Sequence, residues 1–182
     1  MYFKKLVGKK CYLSPIDIND AEKFTEWLNN LELTINLGPL YSRVINVESE
    51  KGFLENLSKD QNYSIIDIET NELIGNCGFL EIDQLNQAAE FGIFIGKNDF
   101  RGKGYGTEAI SLLLDYGFKA LNLHNIFLRT YSFNKNAIKC YEKLGFKIIG
   151  KRREALNRNM ERHDIVFMDI LVNEFNEKNK IQ

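Results

Sequence analysis

Apolar residues recur at helical spacing early in the chain. Between residues 17 and 31 they lie mostly three residues apart, which is the pattern of a helix with one buried face. Asp17 or Asn19 is a suitable N-cap for this helix. A second such helix is predicted over 47–57, and the stretch 34–46 between the two is predicted to be an irregular loop. The apolar face of the first helix comprises Ile18, Ala21, Phe24, Trp27, Leu28 and Leu31.

Short apolar runs bounded by turn residues predict seven strands. Two of them form a hairpin across residues 69–72, and the run at 89–95 is almost wholly apolar, as expected of a central strand. One helix follows a glycine-rich segment, and another over 134–144 ends at Gly145, a residue suited to the position just past a helix. The predicted strands are residues 11–14, 63–68, 73–82, 89–95, 125–131, 147–156 and 164–171.

The order of these elements predicts a mixed α/β fold of the α+β kind. An antiparallel meander is followed by βαβ units, which requires a mixed sheet with helices on both faces. The length of 182 residues fits one domain. We predict a single domain over residues 1–172 and a polar tail over 173–182 that frays.

The segment after the central strand carries the most distinctive chemistry of the sequence. Gly102, Gly104 and Gly106 lie within five positions, beside Arg101 and Lys103 and directly before a helix. Glycine lets main-chain N–H groups approach an anion closely, and the positive end of the helix dipole faces the same point. The pattern predicts a loop that binds the phosphates of a cofactor.

Two other phosphate-binding loops fit this segment less well. Gly104-x-Gly106-x-x-Ala109 satisfies the dinucleotide fingerprint, but that motif needs a carboxylate at the end of the next strand, and residues 125–131 contain none. A Walker loop has four residues between its first glycine and Gly-Lys, whereas five residues separate Gly96 from Gly102.

Composition excludes several other classes of function. With 24 basic and 25 acidic residues the net charge is −1, so no basic excess is present to bind nucleic acid or a membrane surface. Residues 1–6 lack the long apolar core of a secretory signal, and no run is long enough to span a membrane. Cys11, Cys77 and Cys140 do not have the spacing of a metal site or a disulfide framework, and neither histidine suggests a metal ligand. We therefore expect a cytoplasmic protein that uses no metal.

Two motifs together resemble the GCN5-related N-acetyltransferases, the GNAT family. Arg101-x-x-Gly104-x-Gly106 resembles the family's acetyl-CoA signature, [RQ]-x-x-G-x-[GA]. The segment 134–146 then matches N-x-x-A-x-x-x-Y-x-x-x-G-F at every position. The resemblance covers residues 73–171, and its last part, residues 152–171, is similar to the RimJ/RimL-type ribosomal-protein acetyltransferases and to spermidine acetyltransferases.

This resemblance implies the GNAT fold, a mostly antiparallel sheet flanked by helices with a splayed central pair of strands, and acetyl-CoA as cosubstrate. It assigns the main chain of the central strand to the pantetheine arm and the amides of the glycine loop to the pyrophosphate. A main-chain N–H near Phe94 or Ile95 is expected to polarise the thioester carbonyl. Asn134 is expected both to contact CoA and to cap a helix. The implied cofactor-binding residues are Ile93, Phe94, Ile95, Arg101, Gly102, Lys103, Gly104, Tyr105, Gly106, Thr107, Asn134 and Ala137.

The resemblance also implies direct attack by an amine, without a covalent enzyme intermediate. Tyr141 is expected to protonate the leaving thiolate, since a phenol with an ordinary pKa of about 10 can donate to it. Our candidate for the base that deprotonates the amine, through water, is Glu90 at the start of the central strand, with Glu81 and Asp83 as alternatives. Without the motif, Tyr141 would be interpreted as a core aromatic residue on a helix. The alternative interpretation of Glu90 is a solvated carboxylate at the start of a strand.

The sequence leaves the acceptor open, because the family builds its acceptor pocket from the first seventy residues and these match only in outline. We expect a primary amine: a protein N-terminus, as in the RimJ/RimL branch, or a small amine such as a polyamine or an antibiotic. Residues 31–47 contain Glu32 but little other acid, which weakens the polyamine option. A non-catalytic acyl-CoA-binding protein and a nucleotide-dependent oxidoreductase are the alternatives from other classes. The oligomeric state is also open, with a homodimer as one option.

Overall fold

A computed structural model describes residues 1–180, without the side chains of 178–180. The chain forms two compact units. The first unit comprises Met1–Leu80 and Gly92–Leu113, and the second comprises Glu81–Phe91 and the residues from Leu114 onward. Each unit is built from strands with helices packed against them.

Strands and helices account for most of the described chain. The strands are β1 (Leu6–Val7), β2 (Cys11–Pro15), β3 (Asn62–Asp67), β4 (Leu73–Asp83), β5 (Ala88–Ile95), β6 (Asn125–Tyr131), β7 (Lys147–Arg158) and β8 (Glu161–Leu171). The helices are α1 (Ala21–Leu28), α2 (Leu31–Thr34), α3 (Val47–Leu57), α4 (Tyr105–Lys119), α5 (Lys135–Leu144) and α6 (Val172–Lys180). Short 3₁₀ turns lie at Ile18–Asp20, Gly38–Ser42 and Asn98–Phe100.

The strands of the first unit are hydrogen-bonded in the order β1-β2-β3-β4-β5. The apolar face of α1 packs into a core that also receives Leu54 from α3. In this core the ring of Trp27 meets that of Phe94 edge-on, with 6.1 Å between centroids. A Cβ on Gly96 would lie 2.1 Å from the Trp27 ring, so only glycine fits there. This close contact fixes the end of β5, where the glycine-rich segment begins.

The strands of the second unit are hydrogen-bonded in the order β5-β6-β8-β7. The parallel pairing of β5 with β6 covers only three positions, 88–90 with 125–127, as a splayed pair requires. By contrast, β6 and β8 are antiparallel over seven positions. Helix α5 ends at Gly145, whose φ of 105° is left-handed, as predicted. Because β4 and β5 belong to both units, all eight strands form one mixed, mostly antiparallel sheet, which confirms the predicted fold class.

The helix predicted over residues 17–31 is divided into three pieces. The Asp17 carboxylate accepts from the N–H of Asn19, so the predicted cap is present, but on a 3₁₀ turn. The side chain of Asn30 accepts from the N–H groups of Glu32 and Leu33 and thereby starts α2. These local side-chain bonds compete with a continuous helix, which apolar spacing alone does not register. Strand β1, only two residues long, was not predicted.

The C-terminal segment, predicted to be a fraying tail, is helical as far as Lys180. Phe175 is only 7% exposed, and its ring packs on that of Phe118 with 5.0 Å between centroids. One buried aromatic therefore anchors a helix that is otherwise polar. Residues 181 and 182 lie outside the described residues, and a single domain over 1–172 stays a prediction.

Candidate functional site

The glycine-rich segment forms an open loop between β5 and α4, in the first unit. Gly102 and Gly104 have φ angles of +71° and +90°, a conformation that costs other L-residues about 1–2 kcal/mol. A Cβ on Gly102 would meet no atom within 4 Å, and one on Gly104 would meet only Cε of Lys10, at 3.8 Å. The main chain of this loop therefore faces open space, as the binding of a phosphate by backbone amides requires.

The guanidinium of Arg101 closes this loop at its start. Its Nε and Nη2 donate to the main-chain carbonyl of Ile95 at 2.9 and 2.6 Å. Burial lowers the pKa of the guanidinium from its usual value. The main-chain N–H of Arg101 donates to the carbonyl of Asn98 at 3.0 Å, so both this N–H and part of the guanidinium are used to fix the start of the loop.

Two side chains in the first turn of α4 form hydrogen bonds with other parts of the first unit. The Glu108 carboxylate accepts from the N–H groups of Lys9, Lys10 and Cys11 at 2.9, 2.7 and 2.8 Å. Burial raises the pKa of this carboxyl, but the three donors outweigh it and the pKa lies below its usual value. The first turn of the helix is thereby tied to the β1–β2 turn.

The hydroxyl of Tyr105 makes the other tie, donating to Oδ1 of Asp67 at 2.8 Å. This hydrogen bond raises the pKa of Tyr105 to about 12. The ring of Tyr105 also meets Phe100 edge-on, with 4.9 Å between centroids. Tyr105, predicted to bind the cofactor, is thus anchored through its side chain, and its main chain remains part of the loop.

The strand residues predicted to bind the cofactor lie beside the loop. Phe94 points into the core and is 8% exposed, whereas Ile93 and Ile95 are half-buried. A Cβ on Gly106 would lie 3.8 Å from Cδ1 of Ile93 and 3.9 Å from Cγ1 of Ile95. Lys103 is exposed, and Thr107 is half-buried in the first turn of α4. The first unit therefore brings together all the predicted cofactor residues from 93 to 107.

The remaining cofactor residues and the predicted acid lie on α5, in the second unit. Oδ1 of Asn134 accepts from the N–H of Ala137 at 3.3 Å, which is the predicted helix cap. The Tyr141 ring meets Phe91 and Phe146 edge-on, with 6.0 and 5.9 Å between centroids. Burial among these rings raises the pKa of Tyr141 well above its usual value. The phenol is protonated at neutral pH, as any tyrosine with an ordinary pKa of about 10 is, and burial makes it a weaker acid.

Glu90 is held by a bidentate ion pair in the second unit. Its two oxygens accept from Nε and Nη2 of Arg129 at 2.6 and 3.0 Å, and the residue is 8% exposed. The hydrogen bond to Glu90 raises the pKa of Arg129. Because both oxygens are engaged, Glu90 is not the solvated carboxylate considered from the sequence, and to accept a proton it has to loosen this pair.

The two alternatives to Glu90 lie on β4. Asp83 accepts from the N–H and the side-chain amide of Asn86, and these bonds lower its pKa, which makes it a poor base. Glu81 is exposed. Of the three carboxylates, Glu90 alone is buried.

Sequence reasoning missed Arg129, Glu108 and Asp67, the residues that hold the site in place. Arg129 is the one charged residue of an apolar strand, 125–131, but it is exposed, and an exposed charge does not by itself indicate a partner. Glu108 and Asp67 bond to groups far along the chain, which no local pattern indicates. Among the described residues no group of three or more His, Cys, Asp and Glu has the arrangement of a metal site. No described helix has the length and apolar character to cross a membrane.

Solved structures of acetyltransferases share this fold. The spermidine N-acetyltransferase of Vibrio cholerae, solved with CoA and spermine, superposes with a TM-score of 0.82 at 24% identity, over 93% of this chain and 99% of that one. At that identity the likeness shows the fold, and it confirms the predicted GNAT architecture.

Relatives with named activities match nearly the whole chain. An uncharacterized N-acetyltransferase p20 of Bacillus licheniformis is 31% identical over 93% of this chain and 97% of its own length. The spermidine N(1)-acetyltransferase of Escherichia coli (strain K12) is 29% identical over 90% and 81%. YdaF of Bacillus subtilis (strain 168), provisionally named a ribosomal N-acetyltransferase, is 28% identical over 88% and 90%.

A family model described as an acetyltransferase (GNAT) domain matches residues 10–147. This match covers the glycine loop, Glu90 and all of α5. It confirms the predicted enzyme class, an N-acetyltransferase with acetyl-CoA as cosubstrate and an amine as acceptor. The chain belongs to the GNAT acetyltransferase family.

Proposed function

We propose that this enzyme acetylates a primary amine of a small polycation of the polyamine class. The observation that carries the proposal is the acidity of the first unit's helices. Residues 21–57 contain six glutamates and three basic residues, a net charge of −3. Five of the glutamates are exposed, at positions 22, 26, 32, 48 and 55. A surface of one sign concentrates ligands of the opposite sign near it.

The acidity of these helices offsets the shortage of acidic residues in the loop between them. The segment 31–47 is poor in acid, but α1 and α3 on either side of it supply the carboxylates. The family builds its acceptor pocket in this part of the chain. The spermidine acetyltransferases among the relatives support the same class of acceptor.

The second candidate is the N-terminal amine of a protein, the acceptor expected from the RimJ/RimL resemblance. The similarity to YdaF favours it. A protein substrate would have to present its terminus as an extended segment with few acidic residues, since the same helices would repel acid. Both candidates predict an acceptor that carries positive charge.

The residues of this chain divide the chemistry between them. Main-chain amides of residues 102–106 bind the diphosphate, since that of Arg101 donates to Asn98, and the main chain of 93–95 aligns the pantetheine arm. A main-chain N–H at Phe94 or Ile95 donates to the thioester oxygen. Bound acetyl-CoA supplies the thioester that the amine attacks directly. Tyr141 gives its phenolic proton to the departing sulfur; the phenol is protonated at neutral pH even at its ordinary pKa, and the raised pKa makes it a weaker acid than an ordinary tyrosine.

Glu90 is proposed to take the proton of the amine through water. The ion pair with Arg129 opposes this role, because both carboxylate oxygens already accept hydrogen bonds from the guanidinium. Glu90 acts as the base only if an approaching cationic amine competes with Arg129 for the carboxylate. This condition gives the assignment a direct test with variants of both residues.

The enzyme is proposed to be cytoplasmic and to form a homodimer. Cys11 and Cys77 are buried free thiols, which is typical of a protein in the reducing cytoplasm. A homodimer is the simplest symmetric assembly, and light scattering on the purified chain checks it.

Acceptors are compared by release of CoA thiol from acetyl-CoA. Spermidine and spermine, peptides with free N-termini and aminoglycosides are each assayed at equal concentration. The proposal expects the largest kcat/KM for the polyamines and a marked fall at high salt, which screens the acidic surface. Faster turnover of an N-terminal peptide than of either polyamine would show that the acceptor is the N-terminal amine of a protein, the second candidate.

A further inference from the structure

The turn between β1 and β2 lies against the glycine loop, although no motif covers it. The Glu108 carboxylate accepts from the N–H groups of Lys9, Lys10 and Cys11, which fixes this turn to the first turn of α4. A Cβ on Gly8 would lie 2.6 Å from the carboxyl carbon of Glu108, so the close approach depends on glycine. The backbone of Lys10 therefore has a defined position next to the loop.

The side chain of Lys10 extends along the loop itself. Its Cε lies 3.8 Å from the place where a Cβ on Gly104 would stand. Its Nζ lies 5.7 Å from the centroid of the Tyr105 ring, within the range of a cation–π interaction. The Tyr105 ring is itself fixed by the hydrogen bond of its hydroxyl to Asp67. The Lys10 ammonium therefore lies beside the middle of the segment 101–106.

Two of the other cations near the loop are engaged by the protein, and the third, Lys103, is exposed, as Lys10 itself is. The guanidinium of Arg101 donates to the carbonyl of Ile95, and Lys97 forms an ion pair with Glu72. Lys103 is exposed on the loop. In the part of the chain that the structure describes, the Lys10 ammonium forms no ion pair. A charge that lies beside an aromatic ring and is not neutralised by an ion pair is suited to an anionic ligand.

We propose that the ammonium of Lys10 binds the diphosphate of coenzyme A, beside the main-chain amides of residues 102–106. This inference rests on the proposed use of that loop for the diphosphate. It adds a cation from outside the family motif, delivered by the β1–β2 turn and held there by Glu108. Lys10 contributes charge, and the amides of the loop contribute hydrogen bonds.

The test compares two neighbouring lysines with identical charge changes. Lys10→Gln removes the proposed contact, and Lys9→Gln removes an exposed ammonium from the same turn while its main-chain bond to Glu108 remains. Calorimetry measures the Kd of each variant and of the wild type for CoA and for 3′-dephospho-CoA, at two salt concentrations. Thermal unfolding of each variant reports whether the fold is intact.

Lys10→Gln is expected to weaken CoA about tenfold, the effect of one charge-assisted contact. The same loss is expected with 3′-dephospho-CoA, which keeps the diphosphate, and Lys10→Arg should restore most of the affinity. Lys9→Gln should bind CoA like the wild type. A loss that disappears with 3′-dephospho-CoA, or an equal loss in both glutamine variants, would overturn the proposal. Wild-type protein that fails to bind CoA would instead overturn the loop assignment itself.

Discussion

The loop of the first unit and the Tyr141–Glu90 group of the second unit are held in different ways. The loop is fixed by hydrogen bonds to and from the main chain, from Arg101 to Ile95 and from the β1–β2 turn to Glu108. Tyr141 is held by contacts with aromatic rings, and Glu90 by one ion pair. In the proposed mechanism the loop binds the cofactor through main-chain groups, which every residue has, whereas the second group acts through the protonation of two side chains. Substitutions should separate the two: changes in the loop act on cofactor affinity, and changes in the second group act on turnover.

Removal of the Tyr141 hydroxyl is expected to have the largest effect. Tyr141→Phe keeps the ring among Phe91 and Phe146 but leaves the departing thiolate without its donor, so kcat should fall about 10²-fold or more. The KM for acetyl-CoA should change little. Steady-state kinetics measures both, and Tyr63→Phe, which removes a hydroxyl bonded to Gln61, is the matched control. Unchanged kcat in Tyr141→Phe would remove Tyr141 from the mechanism.

Filling the loop is expected to act on binding instead. Gly104→Val places a β-branched residue at a φ of +90° and a side chain where the phosphate is expected, so CoA affinity should fall about thirtyfold or more. Calorimetry measures the Kd. Gly52→Ala, in a helix where an added Cβ would meet no atom within 4 Å, is the control and should bind normally. Equal CoA affinity in Gly104→Val and the wild type would mean that the diphosphate lies elsewhere.

The ion pair of the second unit is tested from both sides. Glu90→Gln should lower kcat/KM for the amine about tenfold or more if Glu90 accepts its proton. Arg129→Gln leaves the carboxylate in place and releases it, so this variant should retain more activity than Glu90→Gln. Assays of both variants across a range of pH provide the measurement. Equal losses in the two would show that the pair has a structural role and that another group deprotonates the amine.

Loss of the hydrogen bonds between Glu108 and the β1–β2 turn should lower both the stability of the protein and its affinity for the cofactor. Glu108→Gln cannot accept all three N–H groups of the β1–β2 turn, so the free energy of unfolding should fall by about 1–2 kcal/mol. Since the pKa of Glu108 lies below its usual value, its contribution is present at neutral pH and is lost as the pH falls towards that pKa. Thermal unfolding at pH 7 and pH 4 measures this, with the exposed Glu48→Gln as control. A stability difference that does not shrink at pH 4 would contradict this origin.

Glu50 should affect stability alone. Burial on α3 raises its pKa from 4.5 to about 7. The folded state therefore holds a proton that the unfolded chain has released, and wild-type stability should decline as the pH rises from 4.5 to 7. Glu50→Gln should remove this decline, which is worth on the order of 2 kcal/mol. Urea unfolding at several pH values measures it, and parallel curves for wild type and variant would refute the buried ionisation.

Local patterns predicted the elements whose causes are local. The glycines at 102, 104 and 106, the cap at Asn134 and the left-handed Gly145 are properties of a few adjacent residues, and the structure has all of them. The strands were found wherever apolar runs ended at turn residues. The elements that were not predicted have distant causes. Helix α6, for example, depends on the burial of Phe175 against Phe118, which lies 57 positions earlier in the sequence.

The sequence by itself determined the family, the glycine-rich loop and most of the strands along the chain, because backbone conformation and hydrophobic periodicity depend on neighbouring residues. Only the tertiary structure decided the state of the functional side chains. It paired Glu90 with Arg129, buried Tyr141 among rings and directed the Arg101 guanidinium to the end of β5. These outcomes depend on charges and surfaces that come together from distant segments, since ionisation responds to whatever lies within a few ångströms and not to the order of residues along the chain.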